Sequence, residues 1–143
     1  MEAKNQNKTV PTKVSVKSFL ESENFSPEEK KSAKVLVELF EKVTKKKCVM
    51  WGKIFGFGLY HYKGKSREGD WMATGFALRK NAITIYIMCG LAYQKDLLKD
   101  LGKYKLSGGS CLYIKKLEDV KLNILEKIVK TGLQELKKKS KVS

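Results

Sequence analysis

The stretch from Val49 to Met88 constrains the fold more than any other part of the chain. Glycine stands at 52, 56, 58, 64, 69 and 75 between short aromatic runs, and the stretch ends in AITIYIM (82–88). Glycine supplies tight turns and close backbone approach. The closing run alternates: Ile83, Ile85 and Ile87 share one face of a strand, and Thr84, Tyr86 and Met88 take the other. GLYHY (58–62) and WMATGFAL (71–78) read as the antiparallel strands before it, with RKN (79–81) as a hairpin turn.

Helical signals flank this region. A short helix is expected around Val14–Glu23, with Val16, Phe19 and Leu20 on one face. In SPEE (26–29) Ser26 can cap, Pro27 suits the first helical position and Glu29 closes a capping box. Ala33, Leu36, Val37 and Phe40 follow at helical spacing, so that helix should run to about Thr44. A third helix is expected at Leu91–Leu101, capped by Gly102, then a loop at SGGS (107–110) and a strand at CLYI (111–114). The last helix should run from about Glu118 to Lys138, placing Ile124 and Ile128 in a core with Leu36, Phe40 and the three isoleucines of the strand. Helices, then a meander, then helices make the class α+β. The expected organisation is a flexible tail at 1–12, one domain at 13–139 and a frayed end at 140–143.

A chain of 143 residues makes one domain, burying roughly two thirds of its unfolded surface. Its longest nearly apolar run, Ala82–Tyr93, has 12 residues, short of the ~20 a spanning helix needs. The N-terminal MEAKNQNKTVPTK has no apolar core of a signal peptide. A soluble, cytoplasmic protein with no membrane partner is expected. Cys48, Cys89 and Cys111 are odd in number and lack metal-ligand spacing, so they read as buried reduced thiols.

The net charge is +15, and such a field attracts polyanions. Yet all 30 basic residues except Arg67 and Arg79 are Lys, whereas readers of nucleic acid favour the Arg fork. Lysine spread along the chain reads as a solubilising surface that gives at most weak, non-specific nucleic-acid binding.

GFGLYHYKGKSREGDW (56–71) holds the only histidine. One reading is structural: glycines for turns, Tyr60, Tyr62 and Trp71 for packing, and Asp70 for turn amides. The other is a ligand site. His61, Arg67, Asp70, Trp71, Arg79 and Lys80 would meet at one end of the meander as an anion-sized pocket, with charge added by Lys115 and Lys116. His61 and Asp70 could pair as acid and base, but no nucleophile elbow, metal triad or phosphate loop accompanies them. The residues name no cofactor, leaving it unknown, and catalysis is the weaker of the two readings.

In order along the chain stand MWG (50–52), GFG-x-YHY (56–62), S-x-EGDW (66–71), GF-x-x-RK (75–80), LGK (101–103) and SCLYIKKLEDV (110–120). Together they resemble the YdhG-like family of bacterial domains of unknown function, over roughly residues 12–135. The chain departs from the usual family pattern in GFALRK, where relatives carry GFSPRK, and in MCG, where they carry MPG. The resemblance implies a curved antiparallel sheet covered by helices and an uncharacterised binding module. Some relatives are labelled frataxin-like iron chaperones, which implies an alternative role in iron handling or iron–sulfur assembly. Iron would want an acidic ridge, and Glu28, Glu29, Glu38 and Glu41 are interleaved with Lys30, Lys31, Lys34 and Lys42.

Overall fold

A computed structural model describes residues 11–63, 68–79, 82–88, 91, 94–107 and 111–142. Two helices open the chain, α1 (Val16–Ser22) and α2 (Pro27–Thr44). At α2 the capping box forms as the sequence implies: Glu29 N–H donates to Ser26 Oγ at 3.1 Å, and Ser26 N–H donates to Glu29 Oε1 at 2.8 Å. The helix ends where Lys45 turns left-handed, φ 60°.

Eight strands, one helix and a 3₁₀ turn follow, and then a long last helix. In chain order they are β1 (Val49–Trp51), β2 (Ile54–Phe57), β3 (Tyr60–Lys63), β4 (Glu68–Trp71), β5 (Thr74–Arg79), β6 (Ala82–Ile87), α3 (Lys95–Leu101), β7 (Lys105–Ser107), β8 (Cys111–Ile114), the 3₁₀ turn Leu117–Asp119 and α4 (Leu122–Lys139). Six strands make one antiparallel sheet in the order β1-β2-β5-β6-β8-β7, and β3 pairs with β4 as a separate hairpin. The fold is α+β, with an open antiparallel sheet covered by helices.

Four details differ from the sequence reading. The strand expected at 71–78 is two strands, because Met72 and Ala73 break the ladder and are both buried. Strands β1 and β2 precede the expected first strand, joined through Gly52 at φ 66° with Trp51 opposite Ile54. Helix α3 starts at Lys95, after a buried Gln94. The last helix begins at Leu122, since Leu117–Asp119 forms the 3₁₀ turn. Of the expected turn at 79–81 only Arg79 lies within the described residues, and of the loop at 107–110 only Ser107.

All four helices bury side chains against one face of the sheet. Phe19, Leu36, Phe40, Leu98, Leu101, Ile128 and Val129 share a core with Phe55, Phe57, Phe76, Ile83, Ile85, Ile87 and Leu112. Phe55 and Phe76 stack in the middle of it, with centroids 4.4 Å apart. Ile124, expected in the core, is half-buried at its margin. The two ends of the described chain are tied down. Thr12, expected in the tail, donates from both N–H and Oγ1 to the Met50 carbonyl. Val142, expected in a frayed end, bridges Tyr60 antiparallel.

The opposite face carries Trp51, Gly56, Gly75, Ala77, Thr84, Tyr86, Cys111 and Tyr113, as the pairing register requires. Part of it is covered by rings rather than helices. A Cβ on Gly56 would sit 2.4 Å from the Trp51 ring, so this position has room only for glycine beneath the indole. Trp71 packs edge-on against Trp51, with centroids 5.5 Å apart.

Candidate functional site

Of the six residues expected to share a pocket, His61, Asp70 and Trp71 lie on the β3–β4 hairpin and Arg79 ends β5. Arg67 and Lys80 lie outside the described residues. The groove that Arg79 lines does not include His61, Asp70 or Trp71.

His61 sits directly opposite Asp70 in the hairpin. Its Nδ1 is 2.8 Å from Asp70 Oδ1, and its Nε2 is 2.9 Å from Glu68 Oε2. Glu68, one register step beyond Asp70 on the same face, was not singled out from sequence. The signal for it is the i, i+2 spacing in EGDW, usable only once the pairing partner is known. A neutral imidazole has one donor nitrogen, so two carboxylate acceptors favour the doubly protonated ring. The hydrogen bond to Asp70, then that to Glu68, holds the His61 pKa above its ordinary value. The cluster is exposed, with half of the His61 side-chain surface accessible. Asp70 and His61 thus pair as expected, but on an open hairpin face. Trp71 points to the hairpin's other face and serves the Trp51 packing.

A groove of about 940 Å³ runs between the start of α2 and the ends of β5, β6 and β8. Its floor is Leu78 and Ile83; Arg79, Lys115 and Lys116 line one side, and Phe25, Ser26, Glu28 and Glu29 line the other. Arg79 spends one hydrogen bond inside the protein, its Nη2 donating to Tyr86 Oη at 3.1 Å. No ion pair among the described residues involves Arg79, Lys115 or Lys116. Glu23, Glu28, Glu29 and Glu118 line the same groove. Sequence reasoning placed Arg79 and the two lysines in a site but missed the α2 wall, because no local pattern shows which strand end a helix start will meet.

Two further groups are structural. Cys48 donates its N–H to Glu41 Oε2 at 3.1 Å. Burial, and then the Glu41 charge, pushes its thiol up to about 12, which removes it as a nucleophile at neutral pH. On α2, Glu29 caps the helix and Glu41 anchors Cys48, so two of the four glutamates considered for iron already hold backbone amides. Among the described residues no group of three or more His, Cys, Asp and Glu is placed to hold a metal ion. No described helix is long and apolar enough to cross a membrane. No protein-family model, curated protein or solved structure matches the chain.

Proposed function

We propose that this chain is a small binding module of the YdhG-like kind, working in the cytoplasm, whose ligand is a small anion held in the groove beside α2. The observation that carries this reading is that Arg79, Lys115 and Lys116, none of them ion-paired among the described residues, line one groove of about 940 Å³ together with Leu78 and Ile83. That volume and lining suit a ligand of drug-like size with an apolar body and one charged group. An Arg fork grips carboxylate or phosphate in a fixed plane, and the lysines add charge without fixing direction. Glu28 and Glu118 also line the groove. They favour a ligand whose second end is a cation or hydrogen-bond donor over a plain dianion.

The test is an NMR titration of the full chain with inorganic phosphate, hexanoate and 6-aminohexanoate. Amide shifts at 78–79, 82–83 and 115–118 are expected, strongest for the zwitterion, and Arg79→Lys should weaken them by about tenfold, the cost of a lost bidentate contact on the order of 1.4 kcal/mol. An unchanged affinity in Arg79→Lys, or no shift at those amides with any of the three probes, overturns the proposal.

A further inference from the structure

We infer that the helix-free face of the six-stranded sheet is a stacking surface for single-stranded nucleic acid. It would seat bases on Tyr86 and Tyr113 and phosphates on Arg79, Lys105 and Lys115. The register builds this surface. Tyr86 lies opposite Cys111, and Tyr113 lies opposite both Thr84 and Lys105. The two tyrosines are therefore diagonal neighbours on one face, roughly 7–8 Å apart, within reach of two adjacent bases. Both rings are half-buried, and Lys105 and Lys115 beside them are exposed.

Arg79 shares this face with Ala77, and it reaches back along the strand to the Tyr86 hydroxyl. Thr84 is only 2% exposed, and its Oγ1 has no hydrogen-bond partner. A buried hydroxyl left unpaired is unfavourable.

The charge pattern favours a polyanion. Every strand position on this face is apolar, aromatic, small, hydroxylic or basic; none from β1, β2 or β5 to β8 is Asp or Glu. Stacking on aromatic rings inside a positive surface is the general mode for single strands and tolerates any sequence. A duplex, whose bases are already stacked inward, gains only the charge term. Arg79 and Lys115 also line the small-anion groove, but Tyr86 and Tyr113 lie on the opposite face of the sheet from Leu78 and Ile83, so the two tyrosines and Lys105 tell this surface from that groove.

The experiment is fluorescence anisotropy of a labelled 12-residue oligouridylate with the full chain at several salt concentrations. Tyr113→Leu and Tyr86→Leu should each weaken binding by about tenfold, and Tyr113→Phe should retain it. Lys105→Gln should lower the log–log salt slope by about 0.7, the value for one phosphate on a single strand. An unlabelled duplex of equal length should compete more weakly than the single strand. If a leucine variant melts early, the unaltered chain decides: Tyr86 and Tyr113 ring protons should move upfield on adding the oligomer. Leucine variants that bind as tightly as the parent, a duplex that competes better, or ring protons that do not move each overturn the inference.

Discussion

His61 shows how much one side chain's register can decide. Both of its ring nitrogens face carboxylates, Asp70 at 2.8 Å and Glu68 at 2.9 Å, and its pKa is raised in the folded hairpin. The sign follows from linkage. A raised folded pKa means that the His61 contribution is fully present below the unfolded value, about 6.5, and is lost as pH climbs through the folded value. The β3–β4 hairpin should therefore be better protected at pH 6 than at pH 8.5. Hydrogen exchange of its amides, corrected for intrinsic rates, should show this, and His61→Gln should erase the difference. An NMR titration of the His61 ring with a midpoint at or below 6.5 would contradict the double hydrogen bond. The Asp70 partner is legible in the sequence because two facing strands with a short connection place 61 against 70. The same reading sets Arg79 beside His61, whereas Arg79 lines the groove at the start of α2, a neighbour that no local pattern announces. Two strands, β1 and β2, are short and lack alternation.

At the level of elements, legibility tracks local chemistry. Helix α2 is readable almost to the residue because its signals are covalent neighbours: Ser26, Pro27 and Glu29 at the start and a continuous apolar stripe after it. Replacing Ser26 with Ala should cost about 1 kcal/mol, the usual loss of an N-cap, measurable as a drop in chemical-denaturation midpoint with unchanged slope. Strand β7 is the opposite case. All three of its residues are exposed, and it exists through pairing with β8, which no local pattern announces. Helix α4 contains a less obvious constraint at Gly132, one of its buried residues. A Cβ there would lie 2.5 Å from Ile87 Cγ2, a contact that real side chains do not make. Helix propensity alone favours Gly132→Ala by up to about 1 kcal/mol. Overpacking typically costs about 1–3 kcal/mol and wins here, so the substitution should destabilise the domain. Adding Ile87→Ala removes the clashing methyl, and the pair should be less destabilised than the sum of the two single changes. Strict additivity would show that the helix and sheet do not touch at that point.

For the whole molecule the dominant facts are a one-sided sheet and a net charge of +15. The helices claim one face completely, which is why the core isoleucines of β6 can be read from alternation. The other face is packed by the Trp51 ring on Gly56, by Met72 against Gly75 and by the Arg79–Tyr86 bond, none of which alternation reveals. The charge acts on the fold as well as on partners. The described ion pairs bring in only Lys42, Lys53, Lys138 and His61, so most of the lysines repel one another across a compact surface. Unfolding relieves that repulsion. Raising ionic strength shortens the Debye length from about 30 Å at 0.01 M to about 8 Å at 0.15 M. Sodium chloride over that range should therefore raise the melting temperature by several degrees. General screening and a bound anion can then be told apart. At a fixed 0.15 M ionic strength, exchanging a few millimolar chloride for phosphate or 6-aminohexanoate changes the screening negligibly, but a ligand of the native state adds stability in proportion to its occupancy. The parent chain should gain a further increment that saturates with ligand, and Arg79→Lys should keep the salt response while losing most of that increment. Equal increments in parent and variant would assign the effect to the surface charge as a whole and remove Arg79 from the site.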